Sequence, residues 1–277
     1  MGRITRDFAV TRVTVEPDGS FSTDTRADSV AGEEPLEVQV NGTTLTTTMR
    51  TPGHDVELVH GFLHGEGLIT SKQDVVEARY CSGTDSQGRN TYNLLEVALA
   101  RGVRPPGPEF VRATVTTSAC GVCGSTSIEQ IMGKRAHPIE PVELDPRVVV
   151  SLPEKLRTAQ KAFRRTGGIH AAGAFTLEGE PVVIREDIGR HNAADKVIGS
   201  LLLDDRLPAK DLILVMSSRA SFELVQKAVM AGFPALVAVS AASSLAVDLA
   251  REAGMALTGF ARGERFNLYS GALRPST

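Results

Sequence analysis

The sequence predicts an α/β protein: a larger carboxy-terminal domain of three layers around a mostly parallel sheet, with a smaller β-rich region before it. Three observations carry this. Beyond residue 146, short continuous apolar runs alternate with amphipathic stretches, the pattern of buried strands covered by helices on both faces. Before residue 50, apolar and polar residues alternate with period two around strong turn signals. Between these parts lies a Pro-rich stretch, PIEPVELDPRVVVSLP, read as a linker with a boundary at 145. A crossover connection inside one domain is the alternative reading of that stretch.

Residues 8–49 read as β structure. FAVTRVTV alternates, EPDGSFS turns, and LEVQV-NG-TTLTTTM forms a hairpin, because Asn41-Gly42 accepts the positive φ values of a type I′ turn. Thr51-Pro52 opens a helix with Asp55 in its first turn, where the helix dipole favours negative charge. YNLLEVAL and VRATVTT are further strands, separated by the breaker-rich RGVRPPGPE. STSIEQIM is helical, with Ile128, Ile131 and Met132 on one face. In the second half KLRTAQKAF is a helix, HAAGAFTLEGEPVVIRED two strands joined by a Glu-Gly turn, and NAADKVIGSLL a helix. DLILVMSS, PALVAVS and MALTGFAR are strands, separated by the helices SFELVQKAVMAG and SLAVDLAREAG. In such sheets ligands gather beyond the carboxyl ends of strands. Those ends carry Ser217-Ser218-Arg219, Ser240 through Ser243, and Gly259-Phe260-Ala261-Arg262.

The bulk numbers restrict function. The chain has 277 residues and a net charge of -3, so nothing global favours nucleic acid or an anionic membrane as partner. The sequence shows neither a secretory leader nor an apolar run long enough to span a bilayer. Three cysteines cannot make a disulfide framework, and a cytoplasmic location is the expectation.

Cys120 and Cys123, in TSACGVCGSTS, are the first candidate site. A zinc half-site would need two further ligands, and no second Cys-x-x-Cys supplies them. A strand, two thiols and a helix start suit a dithiol redox centre, because a helix N-terminus raises the thiolate fraction. A persulfide carrier is the other reading, with Gly121 and Gly124 letting the loop swing between donor and acceptor. Chemistry alone leaves redox and sulfur transfer open. Cys81 stands in RYCSGTDSQGRN without a partner nearby in sequence and reads as a bystander.

The second half carries three polar clusters at strand ends. TGGIHAAGAF places His170 after two glycines. REDIGRHNAADK packs Arg185, Glu186, Asp187, Arg190, His191, Asn192, Asp195 and Lys196 together at a helix start, where free amides suit a phosphate. SSRASFELVQK repeats that design, and GFARGERFN sets Arg262 and Arg265 around a glycine. The bland alternative is a capped helix with solvated charges. Three such ends on one sheet edge favour an anionic, nucleotide-like ligand. There is no Walker or Gly-x-Gly-x-x-Gly pattern. Zinc-deaminase chemistry is also disfavoured, since the thiols precede the histidine and Ala172 takes the place of the catalytic Glu.

These stretches, with TPGHDVELVHGFLHGEGLI, ACGVCG and LTGFARGERFNLYS in this order, resemble the formate dehydrogenase accessory sulfurtransferase family (FdhD/NarQ) over nearly the whole length. The resemblance implies a cytidine deaminase-like larger domain, homodimers, and sulfur accepted from a cysteine desulfurase as a persulfide. It implies delivery of that sulfur to Mo-bis(molybdopterin guanine dinucleotide), needed by the catalytic subunit of formate dehydrogenase. Cys120 takes the persulfide-bearing role. Cys123 either forms a disulfide with it on release or tunes its thiolate. Phe260, Ala261, Arg262, Gly263, Glu264 and Arg265 match the cofactor-binding tail, with His170, Arg190, His191, Ser217, Ser218 and Arg219 as further cofactor contacts. The alternatives are a cofactor-binding chaperone that moves no sulfur, and a dithiol oxidoreductase.

Overall fold

The structure, a computed structural model, describes residues 3–81, 92–107 and 128–275. The chain opens on a two-stranded ribbon, β1 (Thr5–Val15) and β2 (Phe21–Ala31), paired antiparallel in unbroken register. A four-stranded sheet follows in the order β4-β3-β6-β5, with β3 (Glu34–Val40), β4 (Thr43–Arg50), β5 (Val75–Tyr80) and β6 (Leu94–Leu99). The Asn-Gly expectation is met. Asn41 and Gly42 have φ of 49° and 78° between the paired Val40 and Thr43, as a type I′ turn requires. Leu36, Val38, Leu45 and Leu95 alternate onto one face and bury against helix α1 (Asp55–Gly65).

Helix α1 crosses helix α5 (Arg190–Leu203) closely enough that only glycine fits at the crossing. A Cβ on Gly61 would strike the carbonyl of Asp195, and one on Gly199 the carbonyl of Glu57. The amino-terminal sheet is thereby fastened to the larger unit, and Leu202 of α5 completes its core.

The larger unit is a six-stranded sheet in the order β13-β12-β11-β10-β8-β9. Its strands are β8 (His170–Thr176), β9 (Pro181–Asp187), β10 (Leu212–Met216), β11 (Ala235–Ala238), β12 (Ala256–Arg262) and β13 (Arg265–Ser270). Helices α5, α6 (Phe222–Met230) and α7 (Ser244–Ala253) bury one face, and α3 (Pro146–Ala159) packs on the other. Helix α2 (Ile128–Lys134) inserts Ile131 into the first of these cores. Helix α4 (Lys161–Thr166) follows α3, and β7 (Glu143–Leu144) pairs with β14 (Ala272–Leu273).

Two expectations need correction. Within the six-stranded sheet only β10–β11 and β11–β12 pair parallel; β8–β9, β8–β10 and β12–β13 are antiparallel, so the sheet is mixed. The Glu178-Gly179 turn folds β8 back between β9 and β10, which the strand–helix alternation could not reveal. Strands β9 to β12 still run in one direction, so their carboxyl ends share one edge. Second, the Pro-rich stretch is not a bare linker. Asp145 accepts from the Arg147 N–H and caps α3, and Pro146 takes the first helical turn, where its missing N–H costs nothing. Proline there marks a helix start.

Candidate functional site

Because β9, β10 and β11 each lead directly into α5, α6 and α7, three helix N-termini open on the same sheet edge. Each presents unbonded amides and the positive end of a helix dipole. None of the three has a side-chain cap: the N-cap residues are Gly189, Ser221 and Ser243. Strand β8 runs the other way, so its first residue, His170, lies at this edge opposite Asp187, the last residue of β9.

A cavity of about 1170 Å³ lies at this edge on the side covered by α3. It collects His170, Ser217, Ala261, Arg262 and Gly263 from the residues expected from sequence, along with Ile188 and Val239. It also draws on Glu154, Arg157 and Gln160 at the end of α3, which sequence reading missed. Their signal was hidden inside the stretch read as a linker and the helix after it. Ser217 is fixed at both ends of its residue, receiving the Ala171 N–H on Oγ and donating its own N–H to the Ala171 carbonyl.

Arg190, His191, Ser218, Arg219 and Phe260 do not line that cavity. Arg190 and His191 start α5, and Ser218 and Arg219 precede α6. His191 Nε2 lies 3.3 Å from Ser221 Oγ and 3.8 Å from Glu223. Burial, then the charges of Lys227, Arg190, Arg219 and His170, push its pKa down to about 3, so the ring is neutral. Burial, followed by Arg190, also lowers His170, while Asp187 opposes weakly. The Arg190 Nε is buried without a hydrogen-bond partner. Among the described residues no carboxylate forms an ion pair with Arg190, Arg219 or Arg262. Glu154 and Glu223 stand at the same edge without pairing to these three arginines.

The tail is a tight hairpin. Arg262 pairs with Arg265 across Gly263-Glu264, and Gly263 has φ 60°. A positive φ at the first turn position selects glycine there. The two arginines therefore stand directly opposite, where like charges are destabilising unless an anion lies between them. The register slips between Gly259 and Arg262, and Phe260 adopts φ 53° with its ring half exposed. A Cβ on Gly259 would strike the Ser240 carbonyl, so β12 hugs the end of β11 there.

Much of REDIGRHNAADK proves structural. Arg185 holds Glu57 of α1, and Glu186 caps α4 through the amides of Ala162 and Phe163. Asp187 is fully buried with Lys196 Nζ at 2.7 Å, and accepts from Asn192 and the Thr51 N–H. Asp195 pairs with the buried Lys227 at 2.7 Å. The bland reading of capped helices and satisfied charges holds for these, leaving Arg190 and His191 at the edge. Cys120 and Cys123 lie outside the described residues. Cys81 reaches toward Glu96 at 3.5 Å, and burial and that carboxylate push its thiol pKa up. A thiol so held carries little thiolate, in keeping with a bystander.

The model of the FdhD/NarQ family matches residues 31–276. The chain belongs to this family. It is 59% identical over 281 residues to the sulfur carrier protein FdhD of Corynebacterium efficiens, covering 99% of this chain and 100% of that one. It is 55% identical to the protein of the same name from Nocardia farcinica, over 99% of this chain and 95% of the other. A crystal structure from Desulfotalea psychrophila, provisionally described as a formate dehydrogenase accessory protein, superposes with a TM-score of 0.72. It covers 96% of this FdhD/NarQ chain and 97% of its own at 22% identity, which speaks to the fold.

Proposed function

We propose that this FdhD/NarQ protein is a sulfurtransferase, accepting sulfur on Cys120 and delivering it to the Mo-bis(molybdopterin guanine dinucleotide) of a formate dehydrogenase. The reading rests on one observation above others: the family match spans the Cys120-x-x-Cys123 pair, and relatives nearly the full length of this chain are named sulfur carriers. The donor is a cysteine desulfurase. The Cys120 thiolate attacks the terminal sulfur of the donor persulfide, forming a new S–S bond at Cys120 and expelling the donor cysteine as thiolate. The exchange needs no external oxidant or reductant.

The unpaired arginines of this edge support an anionic cargo. Arg190, Arg219, Arg262 and Arg265 supply planar forks suited to phosphate oxygens, and the starts of α5, α6 and α7 supply amides. The phosphates of the cofactor occupy this edge, and the cavity beside His170 and Ser217 receives a guanine end. Residues 146–277 are the cofactor-binding unit, cytidine deaminase-like in the family reading, and 1–145 the β-rich unit bearing the thiols. No helix among the described residues is long and apolar enough to cross a membrane, and the proposed setting is the cytoplasm.

The test is mass spectrometry after incubation with a cysteine desulfurase and cysteine. Wild type should gain a one-sulfur adduct that cyanide removes, and Cys120→Ala should not. An undiminished adduct on the variant overturns the assignment. A wild-type protein that binds the cofactor but never holds labile sulfur would instead be a chaperone.

A further inference from the structure

Where α3 ends, the chain passes through Gln160 into α4, and the side chain at that junction is spare. Gln160 stands at the N-cap of α4 yet makes no cap bond. Glu186 takes that role from β9, receiving the amides of Ala162 and Phe163 at 2.9 Å each. The backbone of Gln160 is used at both ends: its N–H donates to the Arg157 carbonyl, and its carbonyl receives the Arg164 N–H. Its side-chain amide has no partner among the described residues. The residue is nonetheless only 4% exposed, and it lines the cavity at the sheet edge.

Enclosing a primary amide without a bond is unfavourable, so folded chains keep such groups where something else bonds them. A glutamine needed only for solvation would sit at the surface, as most do. The surroundings of Gln160 define what its partner is. Leu156, Phe163 and Ile169 line the same cavity and give it apolar surface, and about 1170 Å³ leaves room for a nucleoside. Arg157 also lines it, but that guanidinium is spent on Glu154 through two bonds of 2.8 Å. The α3 wall therefore holds no free cation for a phosphate, whereas Arg262, on the strand-end wall, has no carboxylate partner among the described residues. An apolar wall with one amide, its donor beside its acceptor, suits the edge of a planar heterocycle.

We propose that Gln160 is the base-binding residue of this cavity: its Oε1 accepts the N1–H of a guanine ring and its Nε2 donates to O6, with the diphosphate turned toward Arg262. A guanine lactam and a primary amide are complementary, each carrying one donor beside one acceptor. The inference rests on the cofactor reading above and adds to it a residue for the base and a direction for the nucleotide. It also explains why the amide is left out of the α4 cap.

Calorimetry on the full chain with GDP and with inorganic diphosphate tests this. Gln160→Met keeps the length of the side chain and removes the amide. It should weaken GDP binding about 10-fold or more, through loss of two hydrogen bonds, and leave diphosphate binding unchanged. Because the free chain loses no bond, its melting temperature without ligand should not fall. A variant that binds GDP as wild type does overturns the proposal. So does one that melts lower and loses GDP and diphosphate alike, which would make Gln160 a structural part of the junction. Arg262→Ala should weaken both ligands. If it weakens neither while Gln160→Met still weakens GDP, the phosphate part of the cofactor reading fails and the base contact stands.

Discussion

Replacing Lys196 with methionine isolates the strut beneath the site. Lys196 Nζ meets Asp187 at 2.7 Å and the carbonyls of Thr51 and Glu186 at 2.9 Å and 3.4 Å. Both side chains are essentially excluded from solvent, at 1% and 0%. Methionine keeps the packing of the stem but leaves the Asp187 carboxylate buried without its cation. Three donors remain to it, the amides of Thr51 and Gly189 and the side chain of Asn192. Stranding one member of a buried pair costs about 3–5 kcal/mol. For a chain of this size that lowers the melting temperature by roughly 10 °C. Adding Asp187→Asn to Lys196→Met should restore part of the loss, because the stranded charge is gone. Urea unfolding followed by circular dichroism measures both variants. A single variant within about 1 kcal/mol of wild type, or a double variant no better than the single, refutes the strut.

At the edge itself, Arg262→Ala and Arg219→Ala should each weaken GDP binding about 10-fold or more by calorimetry, through loss of a charge-assisted contact to phosphate. Unchanged affinity removes that arginine from the site. The neutral, buried His191 makes a signed prediction for acid stability. Its folded pKa of about 3 lies below the ordinary 6.5, so between these values the unfolded chain holds the extra proton. Stability therefore falls as pH drops through that window, by about 1.4 kcal/mol per unit from this residue. His60, His64 and His170, all lowered chiefly by burial, add to the same slope. His191→Gln should flatten the fall between pH 6.5 and 5 in urea titrations, and an unaltered slope would mean that His191 is charged in the fold.

The parts of the fold legible in sequence were those set by local chemistry. Asn41-Gly42 can close only a few turn types, and the apolar runs 212–216 and 235–238 are too continuous for anything but buried strands. Where one local pattern serves two structures, reading failed. Pro146 breaks a helix interior but suits a helix start, and only the Asp145 cap and the burial of Val149, Leu152 and Leu156 decide which. Strand ends followed by helix starts recur three times in the sequence, which pointed to the edge where His170, Ser217 and Arg262 line one cavity, but not to Glu154, Arg157 and Gln160 of α3.

The sequence by itself determined the chemical inventory: a thiol pair, arginines at strand ends, and the order of motifs that marks the family. Tertiary structure decided which of those charges are spent. Asp187, Lys196, Asp195 and Lys227 neutralise one another in the interior, because a buried charge must be paired. Arg190, Arg219 and Arg262 are left without a carboxylate partner among the described residues. That division depends on which groups meet across α1, α5, α6 and the sheet, over separations such as Thr51 to Asp187, and spacing along the chain does not encode it.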